Sequence, residues 1–183
     1  LNDGKNRLLN NQGDGSFLDV TAAAGLAGNE RSAAASWADI NRDGHLDVLI
    51  SNLAEHFQFF PTPELEGDRS KLYRNNGDGT FIDMSSTLPA GDLPIGSSYI
   101  SPLLDFDGDQ NVDLLLTQEF GMVVQRNQIY QNLGATEDGT WVTWENQSET
   151  AGLRHPEAAM GAAMFDLNGD TLPEIFITNL LEN

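Results

Sequence analysis

Asp105-Phe106-Asp107-Gly108-Asp109-Gln110-Asn111-Val112-Asp113 is the stretch on which the fold turns. Side-chain oxygens stand at its first, third, fifth and ninth positions. The pattern occurs twice more, as Asp39-Ile40-Asn41-Arg42-Asp43-Gly44-His45-Leu46-Asp47 and as Asp166-Leu167-Asn168-Gly169-Asp170-Thr171-Leu172-Pro173-Glu174. Carboxylates crowded into nine residues repel one another, so such a loop is expected to hold a cation. Hard oxygen donors, without sulfur or imidazole at the ligand positions, select Ca²⁺ over a transition metal. The competing reading is three Asx-turns joining strands with their charge solvated. Three copies in one register favour the cation.

An EF-hand also opens with alternating Asp or Asn, but its twelfth position is a bidentate Glu and helices flank it. The corresponding residues here are Ile50, Leu116 and Ile177, each inside an apolar, strand-like run. The EF-hand is therefore excluded. In the nine-residue frame the expected donors are the side chains at positions one, three, five and nine and the carbonyl at seven. Loop one gives Asp39, Asn41, Asp43, the His45 carbonyl and Asp47. Loop two gives Asp105, Asp107, Asp109, the Asn111 carbonyl and Asp113. Loop three gives Asp166, Asn168, Asp170, the Leu172 carbonyl and Glu174, for up to three Ca²⁺ in all. Glycine fills position six only in loop one (Gly44), whereas loops two and three place it at position four (Gly108, Gly169). With Pro173 and the longer Glu174, loop three is the one expected to bind differently.

A second motif keeps the same beat of sixty-odd residues. Asn11-Gln12-Gly13-Asp14-Gly15-Ser16-Phe17 returns as Asn75-Asn76-Gly77-Asp78-Gly79-Thr80-Phe81, and loosely as Asn132-Leu133-Gly134 followed by Asp138-Gly139-Thr140-Trp141. Asp-Gly between short alternating runs predicts hairpins with positive φ at both central residues. They would pair Arg7–Asn10 with Ser16–Val20, Lys71–Arg74 with Thr80–Met84, and Gln128–Gln131 with Trp141–Trp144. Apolar runs after the acidic loops (Leu46–Ser51, Val112–Thr117, Pro173–Thr178) and short stretches before them (Ser36–Ala38, Ala162–Phe165) complete the strands. The small residues Ala33–Ser36 and Ala158–Ala163 suit strands that converge on an axis. A tail, Ala24-Gly25-Leu26, recurs as Ala151-Gly152-Leu153.

These motifs resemble the FG-GAP/VCBS repeat family of integrin-α-like β-propeller repeats, and most closely its ASPIC/UnbV-like (CRTAC) branch. The resemblance implies an all-β chain of four-stranded blades, with Ca²⁺ loops between strands one and two. Placed in that frame, 1–26 is a half blade (strands three and four), 33–85 and 97–145 are full blades, and 158–179 is a half blade (strands one and two). That is about three blades' worth, starting and ending mid-blade. Propellers close with four to eight blades. The chain is then expected to be part of a longer propeller, or to assemble head to tail through its half blades into a ring or filament. Its opening, Leu1-Asn2-Asp3-Gly4-Lys5, has neither initiator Met nor signal peptide and suggests a processed or truncated chain.

Composition sets the remaining bounds. Hydrophobic residues make up 39% of the 183, enough for a core. The formal charge is −19, with ten of the 28 acidic residues in the three loops. Three divalent cations would offset only part of it, so neither nucleic acid nor membrane insertion is expected. No apolar run approaches the length of a membrane span. Cysteine is absent, excluding disulfides and thiolate chemistry. Weak calcium sites, with dissociation constants of about 10⁻⁴–10⁻³ M, suit an extracellular, secreted or cell-surface setting. A non-catalytic structural, adhesive or assembly module is expected, meeting a protein or glycan partner. The alternative is a propeller-based lyase or hydrolase, or a glycan-binding module. His45, His56 and His155 have no catalytic neighbours in sequence, and neither HExxH nor GxSxG occurs. The aromatic segment Asn52–Ser70 is expected to cap the sheet edges or contact a partner, Leu88–Gly96 to be a plain loop, and Asn146-Gln147-Ser148 is a lone glycosylation sequon.

Overall fold

The computed structural model of the chain describes residues 5–53, 69–88, 98–118, 126–153 and 158–179. Its strands are β1 (Leu9–Asn11), β2 (Phe17–Asp19), β3 (Ser32–Ala38), β4 (Asp47–Asn52), β5 (Lys71–Asn75), β6 (Phe81–Asp83), β7 (Leu103–Leu104), β8 (Asp113–Leu116), β9 (Gln128–Ala135), β10 (Val142–Asn146), β11 (Ala159–Phe165) and β12 (Glu174–Asn179). They form four antiparallel sheets in sequence order: β1-β2, β3-β4-β5-β6, β7-β8-β9-β10 and β11-β12. The fold is all-β, and the two four-stranded meanders are propeller-type blades. Among the described residues the one helical element is a three-residue 3₁₀ turn, Ser85–Thr87. No helix there is long and apolar enough to cross a membrane.

Side-chain alternation makes each sheet two-faced, so consecutive sheets bury apolar residues against each other. Ile40, Leu49 and Leu72 of the first four-stranded sheet and its loop meet Leu114, Tyr130, Trp141 and Trp144 of the second. Val48 of β4, with Ile50, Tyr73 and Phe81, packs on Leu8, Ala24 and Leu26. Leu104, Leu115 and Ile129 pack on Ala162, Met164 and Ile175 of the β11-β12 sheet. Trp37 meets Phe81 edge to face at 6.0 Å.

Two strands begin earlier than expected: β3 at Ser32 rather than Ser36, and β11 at Ala159 rather than Ala162. The small residues lie inside these first strands, which the β4 and β12 extensions draw into the ladder. The third hairpin runs longer than expected, because its inserted residues are absorbed by extending β9 to Ala135 and by a register shift between Val142 and Trp144.

The hairpin turns need a correction. Positive φ belongs to the two glycines that flank the Asp, Gly77 (77°) and Gly79 (87°), not to the Asp itself. Asp78 instead accepts the Thr80 backbone N–H (3.0 Å) and hydroxyl (2.6 Å), and Asp14 does the same with Ser16. Gly-Asp-Gly thus divides the labour: two achiral residues reverse the chain, and the carboxylate locks the reversal. Those hydroxyl and N–H bonds hold Asp14 and Asp78 below the usual carboxylate range.

A motif that the sequence reading passed over closes each hairpin. Asp19-Val20-Thr21, Asp83-Met84-Ser85 and Asn146-Gln147-Ser148 share one arrangement, with the first side chain accepting the N–H two residues on at 3.1, 2.9 and 3.0 Å. The Thr or Ser hydroxyl then accepts the N–H of Leu8, Leu72 or Ile129 at 2.8, 3.0 and 3.0 Å. The sequon is therefore one member of a recurrent Asx turn. The expectations for Leu88–Gly96 and for most of Asn52–Ser70, with His56 and His155, lie outside the described residues.

Leu49 is fully buried at the junction of the two large sheets. Leu49→Ala is expected to cost about 2–5 kcal/mol, measured as the fall in unfolding free energy in urea with an unchanged m-value.

Candidate metal centre

Each acidic loop leaves the first strand of its sheet and enters the second: β3 to β4, β7 to β8 and β11 to β12. Their hydrogen bonding is nearly superimposable. The position-one carboxylate gathers backbone N–H groups from its own loop. Asp39 takes those of Asp43 (3.0 Å) and Gly44 (2.9 Å), and Asp105 those of Gly108 (2.8 Å) and Gln110 (2.9 Å). Asp166 takes those of Gly169 (2.6 Å), Asp170 (3.2 Å) and Thr171 (2.9 Å), which hold it below the usual carboxylate range. Positions three and five continue the series, each accepting the N–H two residues on. The bonds are Asn41 from Asp43, Asp107 from Asp109, Asn168 from Asp170, Asp43 from His45, Asp109 from Asn111 and Asp170 from Leu172.

The Asx-turn reading is thus correct as local geometry, and this geometry is what brings the remaining oxygens together. In loop two one carboxylate oxygen from each of Asp105, Asp107 and Asp109 lies within 4.8 Å of the others. No lysine or arginine pairs with them among the described residues. Loops one and three carry Asn at position three, and its amide donates to the position-five carboxylate: Asn41 to Asp43 at 2.9 Å and Asn168 to Asp170 at 3.0 Å. That exchanges one repulsion for a hydrogen bond. Loop two keeps four carboxylates, and its Asp107 and Asp109 accept only neutral side-chain amides, those of Gln131 and Asn111. A hard divalent cation with oxygen preference fits this donor set; a thiophilic metal does not.

Turning so tightly requires left-handed backbone at positions four and six. The values are Arg42 (62°) and Gly44 (89°), Gly108 (80°) and Gln110 (71°), Gly169 (81°) and Thr171 (75°). Each loop places glycine at one of the two positions and a strained residue at the other. This accounts for the glycine that moves between positions four and six. Arg42, Gln110 and Thr171 are the only non-glycine residues with positive φ among those described.

Position nine behaves differently from the other donors. Asp47 and Asp113 are fully buried. One oxygen accepts the position-two N–H, Ile40 at 3.0 Å and Phe106 at 2.9 Å. The other accepts the backbone N–H of the hairpin Asn on the third strand, Asn75 and Asn132, both at 2.8 Å. Burial, reinforced by Asp43 and Asp39 or by Asp107 and Asp109, pushes both groups up to about 6 against these hydrogen bonds. Glu174 also takes its position-two N–H, from Leu167 at 2.6 Å, but its other oxygen accepts the Asn168 amide at 3.0 Å. The side chains of Asn75 and Asn132 return to the position-eight carbonyls, Leu46 at 3.0 Å and Val112 at 3.1 Å. Asn132 also reaches the Ile40 carbonyl at 3.0 Å, tying loop two's sheet to loop one. His45 is exposed, with its ring against Gly77 of the hairpin. The side chain of Leu172 approaches Gly108, so loops two and three are neighbours.

The profile of the FG-GAP-like repeat family matches residues 1–50 and 105–177, a span that holds all three loops. Cartilage acidic protein 1 of Homo sapiens is 22% identical over 180 residues, covering 96% of this chain and 24% of the relative. The Mus musculus protein of that name is 22% identical over 180 residues, and the Xenopus tropicalis protein 23% over 179, each with 25% of the relative covered. The chain spans about a quarter of the length of these curated relatives.

Thr171→Gly removes a β-branched residue from left-handed backbone, relieving about 1–2 kcal/mol of strain against a smaller entropic loss. It is expected to raise the melting temperature, whereas Gly108→Ala is expected to lower it. In chelator, pH also has a defined sign. The folded chain holds protons on Asp47 and Asp113 up to about 6, above the usual carboxylate range. Their contribution to stability is therefore lost as pH rises through that window. Melting in EGTA should fall between pH 5 and pH 7.5, and calcium should shrink the difference.

Proposed function

The chain belongs to the FG-GAP-like repeat family, and on that premise we propose that it is a calcium-stabilised β-propeller module of extracellular proteins. Its role is structural, adhesive or assembly-related and not catalytic. The observation that carries this reading is the convergence of the Asp105, Asp107 and Asp109 carboxylates without a cationic partner, in a loop frame that the chain repeats three times. Loop two would hold the ion through these three side chains, the Asn111 carbonyl and the unshared lone pairs of Asp113. Loop one offers Asp39, Asn41, Asp43, the His45 carbonyl and Asp47. Loop three offers Asp166, Asn168, Asp170, the Leu172 carbonyl and Glu174.

When bound, Ca²⁺ supplies positive charge where the loops concentrate negative charge. The residues do the rest. Position one orders the loop backbone, positions three and five present oxygens, and position nine anchors the loop to the third strand. Locking that turn in each blade leaves the surrounding loops as a rigid platform for a protein or glycan at the cell exterior. The two carboxylates pushed up to about 6, Asp47 and Asp113, both lie inside loops and serve as ties, which supports a non-catalytic role.

Calcium at about 100 times the dissociation constant would add about 2.7 kcal/mol per site, or roughly 5–10 °C in melting temperature for a chain of this size. Differential scanning calorimetry in calcium and in EGTA measures this, and calorimetric titration counts the sites. Identical melting in both buffers would overturn the reading. Asp107→Asn with Asp109→Asn is expected to remove one site from the titration while leaving the fold intact by circular dichroism.

A further inference from the structure

We propose that Gln131 makes loop two the tightest cation site of the three by holding the Asp107 carboxylate from outside the loop. The inference rests on the calcium reading proposed above and adds a positioning residue to it. β9 reaches loop two with two successive residues, whose side chains leave opposite faces of the strand. Asn132, which is buried, meets Asp113 and the Val112 carbonyl, as Asn75 meets Asp47 and the Leu46 carbonyl in the first complete blade. Gln131 is half-buried, and its side-chain amide donates to Asp107 at position three. Loop two is thus gripped by β9 at positions nine and three, and loop one by β5 at position nine.

Chemistry fixes the direction of each bond. A carboxylate only accepts, so Gln131 presents Nε2 to Asp107 and turns Oε1 away from it. That oxygen accepts Gln147 Nε2 at 3.1 Å. Gln147 Nε2 also donates to the Glu145 carboxylate at 2.8 Å, and its Oε1 accepts the Thr150 hydroxyl at 2.6 Å. Asp107 and Glu145 therefore orient both amides, and Thr150, in the turn after β10, anchors the far end of the relay.

The relay belongs to the complete blade whose third loop position is acidic. In the other complete blade Arg74 precedes the hairpin Asn, position three is the neutral Asn41, and Met84 stands where Gln147 does. Arg74 turns to the Thr140 carbonyl at 2.7 Å and the Asn76 side chain at 3.4 Å, while Asn41 donates within its own loop to Asp43. The difference matters for a cation. A neutral amide orders Asp107 before an ion arrives and leaves its charge in place, which lowers the ordering cost of binding. A guanidinium there would supply the positive charge itself and compete with the ion. Loop two combines four carboxylates with a preset third donor, whereas loops one and three have three carboxylates each and an Asn at position three.

Gln131, Gln147 and Thr150 line an open hollow of about 230 Å³ with Phe106 and Ala151, so substitutions there have room. Calorimetric titration of the chain with Ca²⁺ alone reads the effect. Gln131→Met, which keeps the length and removes the amide, is expected to weaken the tightest site about tenfold, with melting in EGTA unchanged. Gln131→Arg is expected to abolish that site and to raise melting in EGTA, because an internal cation then replaces the ion. In an Asp107→Asn background, where this carboxylate is already lost, Gln131→Met is expected to change nothing further. Gln131→Met titrating as the wild type, or lowering melting by the same amount in EGTA and in calcium, would overturn the proposal, as would a further loss in the Asp107→Asn background. A wild-type chain that binds no Ca²⁺ would overturn the calcium reading itself. Normal binding with a tightest site indifferent to Gln131 would overturn this inference and leave that reading standing.

Discussion

Two buried carboxylates, Asp47 and Asp113, join three parts of each complete blade. Each sits at the end of an acidic loop, begins the second strand, and takes one N–H from its own loop and one from the hairpin Asn on the third strand. Removing a carboxylate from water is costly unless its lone pairs are satisfied. Two charge-assisted hydrogen bonds meet most of that need. The hairpin Asn answers with its amide on the position-eight carbonyl, and Asn132 extends the chain of bonds to loop one across the sheet junction. Loop, strand and hairpin are therefore set as one unit, and the apolar faces of successive sheets stack on units already shaped.

The same arrangement leaves the loops under two stresses. One is electrostatic, since the ties bury negative charge beside further carboxylates and push Asp47 and Asp113 up to about 6. The other is conformational, since Arg42, Gln110 and Thr171 are held in left-handed backbone. The first stress falls on residues proposed to meet a cation, and the second on their neighbours at positions four and six of the same loops. A bound divalent ion would relieve the first directly and hold the loop in the shape that imposes the second. On this account the blade is built by the protein and stiffened by the ion.

Most of the architecture was legible in the sequence because it recurs. Asp39, Asp105 and Asp166 open loops in one frame, Ile50, Leu116 and Ile177 exclude the EF-hand, and the Asn-Gly hairpins keep the same beat. The structure places the strands where these signals put them, with starts shifted at β3 and β11, where alanine and glycine carry no clear alternation. The division of labour within a motif was harder to read. Position nine reads as one more ligand, and only burial and the N–H groups of Asn75 and Asn132 reveal it as a tie. Gly-Asp-Gly reads as an Asp-Gly turn, yet its two glycines make the reversal. Glycine moves between positions four and six because both positions are left-handed, which the sequence alone does not reveal. The Asp-x-Ser/Thr turns at Asp19, Asp83 and Asn146 carried a readable signal, since they recur with the hairpins.

The position-nine tie holds each complete blade, and the proposed cation would tighten it. Amide hydrogen exchange at Asn75 and Asn132 tests it most directly, because those two N–H groups are the tie. Both are expected to exchange among the slowest amides of the chain in chelator, and more slowly still in calcium. Exchange at both sites as fast as at the exposed turn residues Gly77 and Gly79, unchanged by calcium, would contradict it.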